Sequence, residues 1–553
     1  MSDEALRARA RAWRDDDPDA ATRAEVDALL EADDEDGLRE RFDGRLQFGT
    51  AGLRGALGAG PNRMNRALVR QATAGVAAWL EAQGLHGPVV VGRDARHLSP
   101  ELADDTARVL AGAGFPVLVL PRPLPTPVTA FATRHLGAVA GIMITASHNP
   151  PQDNGYKLYL GDGAQIVPPV DQEISSRIDA VQSVASIPLA DGSIEVLDDQ
   201  VVEAYLRGAL ALVDDGPRDV AIVYTAMHGV GADTLRTAFT RAGFPPLHEV
   251  TEQIDPDPDF PTVSFPNPEE PGALDLALAL ARRTGADLVL ANDPDADRLG
   301  IAIPSDDGWR SLTGDEIGAL LADHLLGTGE HGPSDVVATT VVSSRLLARL
   351  ASEAGVSYGE ALTGFKWVVR TPGPSQHLLF GYEEALGYCV GELVRDKDGV
   401  TAALVAATLA ARLRSEGSSM GERLDELARA HGVHVTRQRS IRLQGSDWLA
   451  RVTDVMGGLR SQPPTAVAGR PLLEVEDLAV ARRFPVPADV LVWTLDGARA
   501  IVRPSGTEPK LKCYVEVVLP ADGGPVDGVR RRASAVVDEV LDDLADVLRS
   551  RGL

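Results

Sequence analysis

The feature that most constrains the fold is a repeated alternation of short apolar runs with longer segments of helical spacing. The apolar runs, rich in Val, Ile and Leu, are residues 88–91, 117–120, 138–144, 220–224, 287–291, 299–303 and 336–342. Segments of helical period, such as 69–83 and 273–284, lie between them. Because strands that alternate with helices form stacked βα units, the sequence predicts an α/β fold.

The chain has 553 residues, which is too long for one hydrophobic core. Weak boundaries near 212–218 and 327–334 separate three α/β blocks, and after about Arg439 shorter strand-like runs indicate a smaller α+β unit. The predicted domains are residues 1–211 (with an N-terminal helical extension), 212–327, 328–439 and 440–553.

Charge and cysteine content restrict the class of protein. Lys and Arg total 54 against 80 Asp and Glu, a net charge of −26 that repels nucleic acids and anionic membranes. The first residues carry no signal sequence and no later stretch reads as a membrane span, so a soluble cytoplasmic protein is expected. Cys389 and Cys513 are too few for a disulfide framework or a multi-cysteine zinc site, and both are predicted to be buried core residues.

The sequence TASHNP, residues 145–150, directly follows the apolar run 138–144 and is called the serine loop. Such a loop presents a hydroxyl at the end of a strand, which makes Ser147 a candidate nucleophile. Neighbouring side chains on extended backbone diverge, so His148 is not assigned as the base of Ser147 and no triad is supported. The alternative is that Ser147 only hydrogen-bonds its own turn.

The sequence DPDADR, residues 293–298, lies between two apolar runs and is called the aspartate loop. Carboxylates at alternate positions of extended backbone point the same way, so Asp293, Asp295 and Asp297 can converge on a hard cation such as Mg²⁺. An EF-hand is excluded, because that loop requires Gly and Glu where this chain has Arg298 and Pro304. A guanidinium at this point suits a phosphate, although a solvated acidic turn is the alternative.

A third segment, RPSGTEPK, spans residues 503–510 and is called the phosphate loop. Its small residues bring backbone N–H groups close to a ligand, while Arg503, Ser505, Thr507 and Lys510 add donors. A phosphate-binding loop and a β-turn with solvated charges remain equally open on spacing alone.

A fourth segment, GYEEALG, spans residues 381–387. Its carboxylates, Glu383 and Glu384, could accept hydrogen bonds from sugar hydroxyls, or the segment could simply end a strand.

Taken together and in this order, the four segments resemble the α-D-phosphohexomutase superfamily, over nearly the whole chain. TASHNP is similar to the family's phosphoserine loop, DPDADR to its metal loop, GYEEALG to its sugar-recognition loop and RPSGTEPK to its phosphate loop. The resemblance implies four domains around a central cleft: three α/β/α blocks with mixed sheets and a smaller C-terminal α+β domain.

The resemblance also implies roles for individual residues. Ser147 would carry the phosphoryl group and, with Asp293, Asp295 and Asp297, hold Mg²⁺. Catalytic positions implied beside Ser147 are Arg54 in FGTAGLRG, Lys157 in NGYK, and His148. Substrate-binding positions implied by the family loops are Arg298, Gly364 and Lys366 in TGFKW, Glu383, Glu384, Lys397 in DKDG, Arg503, Ser505, Gly506 and Thr507.

The implied activity is a phosphosugar mutase that converts a sugar 1-phosphate into a 6-phosphate, or a 5-phosphate for pentoses, through phosphoserine and a sugar bisphosphate. Many family members have Ser two residues after the first Glu of the sugar loop, but this chain has Ala385 there. The sequence motifs of this chain resemble those of the family branch that acts on glucose and pentose phosphates. Glucose and ribose phosphates are therefore the leading predicted substrates, and mannose phosphate is the alternative. A Mg²⁺-dependent phosphohydrolase and a non-catalytic sugar-phosphate binder remain open, as does a monomer or a homodimer.

Overall fold

The computed structural model describes residues 2–443, 448–505, 510–521 and 523–552. The chain forms two compact units. The first unit contains Met1–Leu312 and Ala385–Glu416, and the second contains Thr313–Glu384 and Gly417–Leu553.

Three helices begin the first unit: α1 (Asp3–Asp16), α2 (Ala20–Glu31) and α3 (Glu35–Phe42). The side chains of Ser2, Asp19 and Asp34 accept the first free N–H groups of these helices. The helices enclose a small apolar core that includes Leu6 and Phe42.

The serine loop belongs to the first sheet. Its strands are β1 (Leu53–Ala56), β2 (Val89–Arg93), β3 (Val117–Val119), β4 (Ala140–Ile144), β5 (Asp153–Leu160) and β6 (Ile194–Val196), in the order β1-β5-β4-β2-β3-β6. Strands β4, β2, β3 and β6 are parallel, while β5 runs antiparallel to β4 and β1. The accompanying helices are α4 (Arg66–Ala82), α5 (Ser99–Gly112), α6 (Thr126–His135), α7 (Val170–Asp179) and α8 (Gln200–Leu210).

The aspartate loop belongs to the second sheet. Its strands are β7 (Ile222–Thr225), β8 (His248–Glu249), β9 (Leu288–Ala291), β10 (Gly300–Ser305) and β11 (Gly308–Ser311), in the order β11-β10-β9-β7-β8. Helices α9 (Ala232–Arg241) and α10 (Asp275–Thr284) accompany it. The sheet is mixed, because β9 is parallel to β7 and antiparallel to β10.

The third block begins in the second unit and returns to the first. Its elements are α11 (Gly314–Leu326), β12 (Asp335–Thr340), α12 (Leu346–Ala354), β13 (Ser357–Ala361), α13 (Phe365–Val368), β14 (His377–Glu383), β15 (Gly387–Val390), α14 (Gly399–Ser415) and α15 (Met420–His431). Strand β12 is parallel to both β13 and β14. Strand β15 and helix α14 lie in the first unit, where the N–H of Leu299 donates to the carbonyl of Leu386 at 3.0 Å.

The end of the chain forms an antiparallel sheet covered by a long helix. The elements are β16 (Val433–Arg442), α16 (Trp448–Ser461), β17 (Ala466–Val467), β18 (Arg470–Asp477), β19 (Leu491–Leu495), β20 (Ala498–Pro504), β21 (Lys510–Leu519) and α17 (Val526–Arg549). The strand order is β16-β21-β20-β19-β18-β17. Apolar residues of α17, such as Val537 and Leu544, pack with Trp493 and Val515 of the sheet. The predicted fold class, α/β blocks with mixed sheets followed by an α+β domain, is confirmed.

Both cysteines, Cys389 and Cys513, are buried and carry free thiols, as the sequence predicts. Among the helices of the described ranges, none combines the length and the apolar character needed to span a bilayer.

Candidate active site

Ser147 lies three residues beyond the end of β4 and is almost fully buried. Its N–H donates to the hydroxyl of Thr145 at 2.9 Å, and its own hydroxyl donates to Oδ2 of Asp293 at 2.9 Å. Ser147 has φ +54°, which is left-handed backbone that is unusual for a residue with a Cβ. Strained backbone of this kind concentrates at functional sites.

The left-handed turn corrects one expectation from the sequence. Extended backbone would separate the side chains of Ser147 and His148, but Nδ1 of His148 lies 3.2 Å from Oγ of Ser147. Burial lowers the pKa of His148 well below its usual value, and the positive charges of Arg298 and Arg54 add to this effect. Both effects favour the neutral form of the imidazole beside the hydroxyl.

Arg96 fixes the shape of the serine loop, a role that the sequence did not indicate. Its buried guanidinium donates to four backbone carbonyls, those of Ser147 (2.6 Å), Pro150 (2.9 Å), Asp153 (3.2 Å) and Asn149. The planar guanidinium presents five donors in a fixed fork, whereas a lysine has three donors on one nitrogen and cannot reach all four carbonyls from it.

We expect Arg96→Lys to lower the free energy of unfolding by about 3 kcal/mol, because several buried carbonyls lose their donor. Any activity that depends on Ser147 should fall as well, since the serine loop loses its support. Chemical denaturation and steady-state kinetics measure the two effects. The matched control is Arg177→Lys, because within the described residues the side chain of Arg177 donates to one carbonyl, that of Glu173. An equal loss in both variants would contradict this role for Arg96.

The aspartate loop connects β9 to β10 and brings together the three carboxylates that the sequence singled out. Asp293, Asp295 and Asp297 are buried, and one oxygen of each lies within 4.8 Å of the others. Within the described ranges, Oδ1 of Asp295 and Oδ1 of Asp297 have no hydrogen-bond partner. Buried carboxylate oxygens normally have a partner, so these two atoms can accept a cation.

Two lysines balance part of this negative charge. Nζ of Lys157 contacts Oδ2 of Asp295 at 2.7 Å and Oδ2 of Asp297 at 2.8 Å, and Nζ of Lys397 lies 3.3 Å from the same oxygen of Asp297. Burial alone would raise the pKa of Asp297, but Lys157, Lys397 and Arg298 outweigh it and hold that pKa below its usual value. Among the described residues no lysine contacts Asp293, and burial together with the charges of Asp295 and Asp297 raises its pKa well above the usual range.

Further contacts hold the site together within the first unit. The hydroxyl of Thr126, at the start of α6, donates to Oδ2 of Asp295 at 2.6 Å. Arg298 approaches Oδ1 of Asp297 at 3.9 Å. Arg54, on β1, donates to the side chain of Asn149 in the serine loop at 3.1 Å.

In the second unit, two predicted sugar loops touch each other. The N–H of Gly364 donates to Oε1 of Glu383 at 2.8 Å, which joins TGFKW to GYEEALG. Glu384 accepts from the hydroxyls of Thr340 and Ser343 at 3.3 and 3.4 Å. Lys366 is the second residue of the short helix α13, which starts directly after Gly364.

The described part of the phosphate loop is near these glutamates. Burial raises the pKa of Tyr514 above its usual value, the charges of Glu384 and Glu383 add to the rise, and the positive charge of Arg503 opposes it. The N–H of Ser505 donates to the carbonyl of Lys510 at 2.9 Å. The other two predicted positions in this loop, Gly506 and Thr507, lie outside the described residues.

The predicted residues thus form two groups. The first unit brings together Ser147, His148, Lys157, Asp293, Asp295, Asp297, Arg298, Lys397 and, through Asn149, Arg54. The second unit contains Gly364, Lys366, Glu383, Glu384, Arg503 and Ser505. The sequence reasoning missed Arg96 and Thr126, and for Arg96 the available signal was the polar GRDAR stretch at the end of β2.

Family models match four successive parts of the chain, and together they cover well over half of it. The matches are phosphoglucomutase/phosphomannomutase alpha/beta/alpha domain I (residues 45–185), domain II (203–306), domain III (313–431) and the C-terminal domain (467–522). The fold and these matches define a four-domain phosphosugar mutase. The chain belongs to the phosphoglucomutase/phosphomannomutase family, within the α-D-phosphohexomutase superfamily.

Individual relatives agree with this assignment. The chain is 44% identical to a probable phosphomannomutase of Haemophilus influenzae over 461 residues, covering 82% of this chain and 93% of the relative. It is 33% identical to the phosphopentomutase of Homo sapiens over an alignment of 574 positions, which covers 96% of this chain and 94% of the relative. Its fold matches a solved phosphoglucomutase/phosphomannomutase family protein from Burkholderia thailandensis with TM-score 0.70 at 23% identity, covering 91% of this chain and 97% of that one.

Proposed function

We propose that this enzyme is a Mg²⁺-dependent mutase that carries the transferred phosphoryl group on Ser147. Its leading substrate is glucose 1-phosphate, converted to glucose 6-phosphate, with ribose phosphates as further substrates. The observation that carries the proposal is the 2.9 Å contact between the Ser147 hydroxyl and Asp293, one of three clustered buried carboxylates.

The three carboxylates fit a hard divalent cation. The Oδ1 atoms of Asp295 and Asp297, which accept no hydrogen bond within the described residues, would supply oxygen ligands. A cation would favour the charged form of Asp293, whose pKa is raised by burial and by the two neighbouring carboxylates. We propose that Asp293, Asp295 and Asp297 hold Mg²⁺ together with a phosphate on Ser147. When bound, such a cation offsets negative charge on a phosphoryl group during transfer.

Side chains of this chain would carry the phosphoryl group and transfer the protons. In the first step the bond between phosphorus and Oγ of Ser147 breaks, a bond from phosphorus to the free sugar hydroxyl forms, and the proton of that hydroxyl is transferred and ends on the Oγ that the phosphoryl group leaves. His148, whose Nδ1 lies 3.2 Å from Oγ, and Lys157, which contacts Asp295 of the proposed cation site at 2.7 Å, are the candidates to hold or move protons in this step. The resulting sugar bisphosphate then returns its other phosphate to Ser147, so no water is consumed.

The proposed substrate contacts lie in the loops that the family resemblance singles out. Arg298 and Lys397 in the first unit supply positive charge, and Arg54 contacts the serine loop itself. Glu383 and Glu384 are proposed to accept hydrogen bonds from sugar hydroxyls, with Gly364 and Lys366 beside them. Donors for the non-reacting phosphate are proposed in the phosphate loop: Arg503, Ser505, Gly506 and Thr507.

The choice of sugar rests on the relatives and on Ala385. The similar proteins are named for mannose and pentose phosphates, and the family model for glucose and mannose phosphates. Alanine at residue 385 removes the hydroxyl that many family members have at this position. Phosphomannomutase activity is therefore the alternative within the family. The four domain boundaries, a cytoplasmic location and a monomeric or dimeric state stay predictions.

The test incubates the purified chain with Mg²⁺, a trace of sugar bisphosphate, and glucose 1-phosphate, ribose 1-phosphate or mannose 1-phosphate. We expect isomerisation of glucose and ribose phosphates to be faster than that of mannose phosphate, with almost no release of inorganic phosphate. Enzyme-coupled detection of the 6-phosphate or 5-phosphate, beside a phosphate assay, measures both reactions. Release of inorganic phosphate in place of isomerisation would favour a phosphohydrolase, and no turnover of any substrate would contradict the proposal.

A further inference from the structure

Asp396 is a buried carboxylate of the DKDG segment, residues 396–399. This segment belongs to the 385–416 part of the first unit, and Asp396 contacts residues of the other part, 1–312. Its Oδ2 accepts from the hydroxyl of Tyr159 at 2.9 Å and from Nε2 of Gln165 at 3.0 Å. Its Oδ1 accepts from the backbone N–H of Lys397 at 2.8 Å and from Nζ of Lys397 at 3.2 Å. Tyr159 and Gln165 thus orient one oxygen, and the other oxygen faces the lysine.

Tyr159 stands on the same strand as an active-site lysine. Tyr159 and Lys157 are two positions apart on β5, so their side chains leave the strand on the same side. Lys157 reaches Asp297 at 2.8 Å, and Lys397 reaches the same oxygen of Asp297 at 3.3 Å. These contacts close a ring in which β5 supports both lysines, one directly and one through Asp396.

We propose that Tyr159 is a positioning residue for the mutase reaction: through Asp396 it aims the ammonium group of Lys397 at Asp297. This inference rests on the proposed function, in which Lys397 supplies positive charge beside the phosphoryl group. Its basis is geometric. A long lysine side chain has many rotamers, and a buried carboxylate held by two other donors restricts Lys397 to the one that faces the site.

A neighbouring tyrosine provides a matched control. Tyr205 is also fully buried, and its hydroxyl contacts Asp398 of the same DKDG segment at 2.8 and 2.9 Å. Asp398 accepts the N–H groups of Val400 and Thr401 and so caps helix α14. The two tyrosines make the same type of bond, but only Tyr159 acts on the carboxylate that touches Lys397.

The first experiment compares Tyr159→Phe with Tyr205→Phe in the purified enzyme. We expect kcat of Tyr159→Phe to fall roughly tenfold or more with KM nearly unchanged, because a misplaced charge weakens the transition state more than substrate binding. Tyr205→Phe should keep the wild-type kcat, even where it lowers the melting temperature. If Tyr159→Phe unfolds, Gln165→Met removes the other donor to the same oxygen and should lower kcat in the same direction.

The second experiment asks whether Tyr159 acts through Lys397. In a Lys397→Met background, Tyr159→Phe should cause no further loss of kcat, because interacting residues are not additive. Without substrate or metal, brief acetylation with acetic anhydride followed by mass spectrometry should modify Lys397 several-fold faster in Tyr159→Phe than in the wild type. Tyr205→Phe should leave the acetylation rate of Lys397 unchanged.

A wild-type kcat in Tyr159→Phe would overturn the inference. The same holds if Tyr159→Phe lowers kcat as much in the Lys397→Met background as in the wild type, or if Tyr159→Phe and Tyr205→Phe lower kcat equally. A different result would refute the proposed function, namely full isomerase activity of the Ser147→Ala variant. Loss of activity in Ser147→Ala together with a wild-type kcat in Tyr159→Phe would therefore refute only the role of Tyr159.

Discussion

Ser147→Ala is expected to lose at least about 10⁴-fold in mutase activity with every sugar phosphate, because the only proposed carrier of the phosphoryl group is removed. The free energy of unfolding should change by less than about 1 kcal/mol, since the substitution deletes a single hydroxyl and its hydrogen bond to Asp293. Steady-state kinetics and denaturant titration measure the two quantities. Wild-type enzyme treated with sugar bisphosphate should show one added phosphoryl group on the peptide that contains Ser147.

Ser183→Ala is the control for this variant. The hydroxyl of Ser183 also donates to a carboxylate, that of Asp16, at 2.6 Å, but the bond joins the N-terminal helices to residues outside the proposed site. The Ser183→Ala variant should keep wild-type activity and acquire the phosphoryl group on Ser147. Substantial turnover by Ser147→Ala, or phosphorylation of another residue, would exclude Ser147 as the carrier.

Periodicity predicted the strands that precede the serine loop and the aspartate loop to within about two residues. The run 138–144 becomes β4 (Ala140–Ile144), and the run 287–291 becomes β9 (Leu288–Ala291). The reason is physical: strands buried on both faces of a sheet are almost continuously apolar, and polar loops at their ends interrupt that pattern. The serine loop and the aspartate loop could be located because each directly follows such a strand.

Contacts between distant residues were beyond this kind of reasoning. Tyr159 and Asp396 are 237 positions apart in sequence, and neither has a spacing that indicates the other. Arg96 reads as an ordinary loop arginine until its four carbonyl partners are known. The expected divergence of the Ser147 and His148 side chains was wrong, because the backbone of Ser147 has positive φ, which sequence spacing does not report.

The path of the third block carries information that periodicity does not report. Residues 385–416, which fall within the predicted domain 328–439, group with the first compact unit, and the domain boundaries themselves stay predictions. Close backbone packing explains part of this arrangement, since Gly399 lies directly against the aspartate loop. Gly399 does not belong to any apolar period of the sequence, so its packing role is visible only from the atoms that surround it in the structure.

The aspartate loop should be displaced by a single methyl group at Gly399. A Cβ there would lie 2.3 Å from the carbonyl oxygen of Arg298, 2.6 Å from Nδ2 of Asn292 and 2.8 Å from the carbonyl oxygen of Ala296. Two of these three atoms belong to the backbone, which cannot move away without shifting the carboxylates. Because a displacement of about 1 Å can cost about 100-fold in rate, we expect Gly399→Ala to lower kcat/KM by about that factor.

The same displacement should weaken divalent cation binding, since the three carboxylates no longer converge. Isothermal titration with Mg²⁺ or Mn²⁺, performed without substrate, separates this effect from a loss of substrate binding, and circular dichroism confirms that the variant is folded. Gly192→Ala is the matched control, because a Cβ at Gly192 meets no atom within 4 Å. Gly399→Ala with wild-type cation affinity and kcat/KM would mean that close packing at Gly399 does not hold the aspartate loop in place.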